Sequence, residues 1–222
     1  MIRTVLNDIE KEKLGVTLCH EHFIVDLDRV RHDGISMIET PEEVEPEIRK
    51  MMALGVQAAV EVSTIDLGRD VRKLKQISLD TGLTIVASTG FYLTQYHPEW
   101  LASASAAAIA EVYVRELTEG IDDTGIKAGI IAEIASSPER FEGEEKKILK
   151  AAGIASRQTG AAVSTHTGRA TAVETIETLL AEGMDPDKII IGHQDLIDDT
   201  KYHVQLLKYG VNIAFDTCGK KA

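Results

Sequence analysis

Glycines divide this chain into a regular series of strand–helix units, and that alternation most constrains its fold. Leu54-Gly55, Thr81-Gly82, Glu119-Gly120, Thr159-Gly160, Glu182-Gly183 and Tyr209-Gly210 each close a helix-like stretch. An apolar run follows each one, more distantly for Gly120. A glycine just past a helix takes the left-handed conformation at low cost. Val71, Leu74 and Ile77 form a helical stripe, as do Ile109, Val112 and Leu117, and Val173, Ile176, Leu179 and Leu180. Thr40-Pro41-Glu42-Glu43 predicts a helix start, with Thr40 as cap, Pro41 in the first position and Glu43 completing a capping box. Ser137-Pro138 predicts another start of the same kind.

The apolar runs are short and β-branched: Val16–Leu18, Val56–Val62, Leu83–Ala87, Ala128–Ile134, Ala161–Ser164, Lys188–Ile191 and Val211–Phe215. Near-continuous apolar strands alternating with helices mark a parallel sheet covered by helices. The pattern predicts an α/β fold of seven strands, either a doubly wound sheet or a (β/α)8 barrel. No Gly-x-Gly-x-x-Gly opens a helix, which disfavours the dinucleotide-binding version. No Pro- or Ser-rich linker interrupts residues 1–222, so the sequence reads as one domain.

Composition narrows the partners. The 222 residues are 44% hydrophobic and 27% charged, with a net charge of −12. That charge argues against nucleic acid and anionic membrane surfaces. Cys19 and Cys218 lie far apart and belong to no Cys-x-x-Cys pair, so reduced thiols are expected. The N-terminus carries no signal-peptide core, and no apolar stretch reaches the roughly 18 residues that span a bilayer. A cytoplasmic protein acting on a small molecule is the expectation.

The strand ends carry the chemistry. In a barrel the active site gathers at the C-terminal ends of the strands. The first strand ends in His20-Glu21-His22, the fourth in Ala132-Glu133-Ile134, the fifth in Ser164-Thr165-His166 and the sixth in Ile191-Gly192-His193. His20 and His22 share one face of an extended strand, about 7 Å apart. Imidazole suits borderline divalent ions such as Zn²⁺, and a carboxylate can bridge two of them. Two metals about 3.5–4 Å apart can hold a hydroxide and polarise a carbonyl or phosphoryl oxygen. One metal on His20, His22 and a further histidine is the simpler alternative. No Gly-x-Ser-x-Gly elbow offers a covalent nucleophile instead.

These residues resemble those of the phosphotriesterase family of the amidohydrolase superfamily, and most of all the branch often called phosphotriesterase homology proteins. The motifs are Gly15-Val16-Thr17-Leu18-Cys19-His20-Glu21-His22, Leu67-Gly68-Arg69-Asp70, Ser88-Thr89-Gly90-Phe91-Tyr92, Gly129-Ile130-Ile131-Ala132-Glu133-Ile134, Ser164-Thr165-His166-Thr167, Ile191-Gly192-His193-Gln194-Asp195 and Phe215-Asp216-Thr217. The resemblance implies a TIM (β/α)8 barrel with a binuclear centre of Zn²⁺, or of Mn²⁺, Co²⁺ or Fe²⁺. It implies that His20 and His22 hold the more buried metal, His166 and His193 the more exposed one, and Glu133 bridges them. The implied activity is hydrolysis of a lactone, carboxylic ester or phosphoester by a metal-bridging hydroxide.

Two departures accompany the resemblance. The family barrel has eight strands and takes its last ligand, an aspartate, from the end of the eighth. This sequence ends at Ala222, just past strand seven. The expectation is therefore a barrel truncated there, either part of a longer chain or a shortened form. A shortened form would have open edges on strands one and seven, associate into a homo-oligomer such as a dimer and hold its buried metal weakly. Its alternative function is a catalytically incompetent fragment that pairs with another chain. The second departure is Thr217, where organophosphate- and lactone-hydrolysing relatives often carry a basic residue.

Other residues complete the reading. Phe91, Tyr92, Tyr96, His97 and Trp100 cluster after strand three, where they either wall a substrate pocket or pack a loop. Tyr92 is a candidate donor to the leaving oxygen. Arg69 and Asp70 are expected to anchor a loop and cap a helix. Asp195 and Asp216 are candidates to orient metal-bound histidines. Glu21 and Cys19 face away from the ligands, Cys19 as a small buried hydrophobe.

Overall fold

The computed structural model describes residues 1–219. The chain end at Ala222, on which the truncation expectation rests, lies outside them. Packing contacts separate two compact units.

The first unit comprises Met1–Thr89 and Arg115–Ile130. It holds three parallel strands in the order β1 (Thr17–Glu21), β2 (Ala58–Glu61) and β3 (Thr84–Thr89). Ala58 pairs with Thr17 on one side and with Thr84 on the other. The β1–β2 register shifts between Leu18 and Glu21, at the histidine-bearing end. A short antiparallel ribbon, Val25–Asp26 against Met37–Ile38, follows β1. Helix α1 (Pro41–Ala53) starts where the capping box predicts: Glu43 accepts from the Thr40 backbone N–H at 2.9 Å. Helix α2 (Val71–Thr81) buries Val71, Leu74 and Ile77 and is capped by Asp70, which accepts from the N–H groups of Arg72 and Lys73. It ends at Gly82, whose φ of 81° a side chain would resist.

Arg69, just ahead of that cap, is a buried anchor. It meets Glu116 at 2.7 and 3.0 Å in a two-pronged ion pair and donates to the Ser88 carbonyl at 2.9 Å. One expectation is overturned here. Cys19 is exposed rather than buried. Among the described residues strand β1 pairs on one side only, which leaves its outward residues open.

The second unit comprises Gly90–Val114 and the described residues from Ile131 onward. Helix α3 (Ala106–Thr118) buries Ile109 and Tyr113, and Phe91 packs on Tyr113 with ring centroids 5.9 Å apart. Four parallel strands follow in the order β4 (Ile130–Ala135), β5 (Val163–His166), β6 (Ile189–Ile191) and β7 (Asn212–Ile213). Val163 pairs with Ile131 and Ile189, and Ile191 with Thr165 and Ile213. Helices α4 (Glu145–Thr159), α5 (Ala172–Ala181) and α6 (Thr200–Leu207) alternate with them. Cys218, beyond β7, is exposed.

Ser137-Pro138 does not open a helix. The chain runs irregularly until α4 begins at Glu145. The reason is Glu145 itself, whose carboxylate binds the Ser137 N–H at 2.9 Å and its hydroxyl at 2.7 Å, making the capping residue part of a loop. No helix among the described residues is long and apolar enough to cross a membrane.

Candidate metal centre

Each unit carries its own group of strand-end residues. In the second unit, Glu133 sits in β4 where the register with β5 shifts between Ile131 and Ile134. Such irregularities re-aim side chains, often beside active sites. The Glu133 carboxylate is 2% exposed. His166 is the last residue of β5. His193 follows β6 with φ 59° and ψ 29°, a left-handed conformation. Two features hold it there. Its N–H donates to Asp216 Oδ1 at 2.9 Å, and Gly192 before it admits no side chain, because a Cβ would lie 2.2 Å from the Thr165 carbonyl oxygen.

The donor atoms converge tightly. Glu133 Oε1 lies 2.8 Å from His166 Nδ1 and 3.0 Å from His193 Nε2, and the two nitrogens lie 2.7 Å apart. On its far side, His193 Nδ1 meets Asp216 Oδ1 at 2.8 Å. A carboxylate accepts, so Nδ1 carries a proton, and Nε2 is the ring atom turned toward Glu133 and His166. A carboxylate and two imidazole nitrogens within one triangle call for a cation among them. Burial disfavours charge on His193, but the hydrogen bonds and charges of Asp216 and Glu133 outweigh it and push the imidazole up to about 9. A proton meets that demand in part. The donor set, two imidazoles and a carboxylate with a second carboxylate behind one ring, fits a divalent ion such as zinc.

Around this triangle, Tyr92 is buried, its ring 5.0 Å from that of His166 and its hydroxyl 3.4 Å from each of that ring's nitrogens. His97 donates from Nε2 to the Tyr92 carbonyl at 2.9 Å, and Tyr96 packs beside the Tyr92 ring. Phe91 and Trp100 pack edge to face, so part of the aromatic cluster serves the loop. Asp195 accepts from the N–H groups of Asp216 and Thr217 and from the Thr217 hydroxyl at 2.8 Å. Its influence on His193 therefore runs through Asp216, and Thr217 is tied down by it.

In the first unit, His20 and His22 stand edge to face with ring centroids 5.5 Å apart. His22 Nδ1 lies 2.9 Å from Ser63 Oγ. Ser63 and Glu61 are both 0% exposed. Burial pushes the Glu61 carboxyl up to about 7, against hydrogen bonds from the Ser63 hydroxyl and the Phe23 and Ile24 N–H groups. Sequence reasoning missed Glu61, Ser63 and Glu145. The available signal for Glu61 was a lone carboxylate inside the apolar run Val56–Val62.

Comparison with known proteins places these motifs. The chain is 34% identical over 209 residues to the phosphotriesterase homology protein of Escherichia coli strain K12, covering 94% of this chain and 72% of that protein. A crystal structure of the E. coli protein, with phosphate in its active site, superposes with a TM-score of 0.90. The lactonase from Listeria monocytogenes gives 0.91 at 28% identity, over 98% of this chain and 72% of that one. The aryldialkylphosphatase of Saccharolobus solfataricus is 32% identical over 218 residues, 96% of this chain and 69% of that protein. These likenesses show an α/β chain with the family's TIM-barrel fold, of which the described residues carry seven parallel strands. The model of the Phosphotriesterase family matches residues 1–222, and the chain belongs to that family.

Proposed function

We propose that this chain is a metal-dependent hydrolase of lactones, carboxylic esters or phosphoesters. The observation that carries the reading is the triangle of Glu133, His166 and His193, a cation site built from strand ends. Membership of a family whose named relatives include a lactonase and an aryldialkylphosphatase supports it. In this reading Glu133, His166 and His193 would hold one divalent ion, and His20 and His22 would contribute to holding another. Two bound ions, most suitably Zn²⁺, supply Lewis-acid polarisation of the substrate oxygen and activation of water.

The chain's own residues then have distinct tasks. Asp216 keeps the proton on His193 Nδ1, so that Nε2 remains a ligand atom. Asp195 holds the Asp216–Thr217 backbone in place. Tyr92 offers a hydroxyl beside His166 for the leaving oxygen. Thr217, in place of the basic residue that many relatives carry there, disfavours efficient hydrolysis of phosphotriesters.

The test is metal analysis of the purified protein together with a panel of lactones, aryl esters and phosphotriesters, before and after chelation. Hydrolysis that disappears on chelation and returns with Zn²⁺ is expected, slowest on phosphotriesters. Activity that survives exhaustive chelation, or a protein that takes up no divalent ion, would overturn the reading.

A further inference from the structure

The hydrogen bonds along β6 reveal what the left-handed turn at His193 takes from the sheet. In a regular parallel ladder, a residue bonds to the carbonyl just before and the N–H just after the residue opposite it. On the β7 side, the Ala214 N–H donates to the Ile191 carbonyl at 2.8 Å, so the Ala214 carbonyl should accept from the His193 N–H. It accepts instead from the Gln194 N–H at 3.0 Å, one residue later. His193 is therefore the extra residue of a β-bulge, and its N–H goes to Asp216. The same turn withdraws a donor from the β5 side. There the Thr165 carbonyl accepts from the Gly192 N–H at 3.1 Å. A regular ladder would next aim the Gln194 N–H at the Thr167 carbonyl.

The side chain of Gln194 takes the place of that N–H. Gln194 is 0% exposed, and its side-chain NH₂ donates to the Gly192 carbonyl at 2.6 Å and to the Thr167 carbonyl at 3.4 Å. Carbonyl oxygens only accept, so the NH₂ and not Oε1 faces them. Gly192 immediately precedes His193, and Thr167 immediately follows His166. The bond to Gly192 also closes a ring around the His193 backbone. Gln194 is itself anchored, because its carbonyl accepts from His203 Nε2 of α6 at 3.0 Å.

We propose that Gln194 is a positioning residue. Its side-chain amide replaces the ladder donor lost at the bulge, and holds the ends of β5 and β6 at the spacing that brings His166 and His193 together. This rests on the reading of Glu133, His166 and His193 as a cation site. Groups that support metal ligands typically change metal affinity by about 10- to 100-fold when removed.

The experiment uses Gln194→Met, which keeps the length of the side chain and removes both donors. In metal-free protein, amide exchange at Gly192 and His193, read by NMR, is expected to quicken by about 10-fold or more, with the α4 amides unchanged. Zn²⁺ affinity is expected to fall by about 10-fold or more in chelator competition. The visible bands of Co²⁺-loaded protein, which follow coordination geometry, are expected to shift. In wild type the Gln194 NH₂ protons should exchange more slowly than those of exposed glutamines, and equal rates overturn the proposal. So does a Gln194→Met protein whose Zn²⁺ affinity and Co²⁺ bands match wild type. Exchange quickened equally along α4 marks general destabilisation and overturns it too. Should Gln194→Met fail to fold by circular dichroism, Gln194→Asn, a methylene too short to reach both carbonyls, takes its place with the same expected results. Unchanged Zn²⁺ affinity in His193→Ala would instead overturn the cation site, while the amide exchange still reports the hold on the strand ends.

Discussion

Glu145 is a heavily used carboxylate of the second unit, and replacing it should be costly. It is 0% exposed and stands at the first position of α4. Its oxygens accept from the backbone N–H groups of Ser137 and Glu142 at 2.9 Å each and of Thr94 at 3.3 Å. They also accept from the Ser137 hydroxyl at 2.7 Å and the Thr94 hydroxyl at 3.2 Å. In Glu145→Ala the hydroxyls can turn elsewhere; Thr94 Oγ1 already has the Glu142 carbonyl at 2.9 Å. The three backbone donors have no such choice. At about 1 kcal/mol for each donor left to find water, they cost about 3 kcal/mol. Loss of a negative charge at the helix start adds about 0.5 kcal/mol. Relief of carboxylate desolvation offsets some of that, leaving about 3 kcal/mol, or roughly 6–12 °C in Tm for a chain of this size.

Glu145→Gln keeps the acceptor facing Thr94 and the Ser137 hydroxyl but turns an amide NH₂ toward two N–H groups. It should lose about 2 kcal/mol. Urea unfolding followed by circular dichroism reads both variants. Thr94 lies two residues past Tyr92, and Ser137 four past Glu133, so a fall in kcat should accompany the loss. A Glu145→Ala protein within about 0.5 kcal/mol of wild type, the range of ordinary surface substitutions, would refute the reasoning.

Three further outcomes are expected. Glu133→Ala removes the corner shared by both ring contacts, so Zn²⁺ affinity should fall by at least about 100-fold; unchanged binding in chelator competition would contradict the triangle. Gly192→Ala drives a Cβ against the Thr165 carbonyl and should cost about 2–3 kcal/mol, checked by thermal melting; an unaltered Tm would show that the strand end yields freely. Glu61 ionises near 4.5 when unfolded and at about 7 when folded. Between those values the native state binds more protons, so stability falls as pH rises, by at most about 1.4 kcal/mol per pH unit from this group. Glu61→Gln should flatten that slope across the window, and identical pH profiles for the two proteins would sink the assignment.

The alternation of strands and helices was legible because its signals are local. Gly82 and Gly160 end their helices in the left-handed conformation, and Thr40 to Glu43 form a capping box within four residues. Arg69 and Asp70 read correctly as anchor and cap for the same reason. The strand-end placement of Glu133, His166 and His193 followed from counting those units. What was not legible depends on residues distant in sequence. Ser137 has the chemistry of a cap, but Glu145, eight residues later, recruits it into a loop. Cys19 has the apolar character of a buried residue, but its burial is decided by whether β1 has a neighbour on both sides. Ser63 lies 41 residues from His22, and neither residue type nor spacing marks the pair.

The solvent-facing side of β1 has a practical consequence. Cys19 is exposed and immediately precedes His20, while Cys218 is exposed and immediately follows Thr217. These are the chain's two cysteines, so a thiol reagent would find each of them on the surface. With Cys218 changed to serine, a fluorophore on Cys19 reports on the stretch that carries His20 and His22. With Cys19 changed instead, a label on Cys218 reports on the segment that carries Asp216. Ion uptake by each group of residues can then be followed optically, one unit at a time, without introducing a new attachment point.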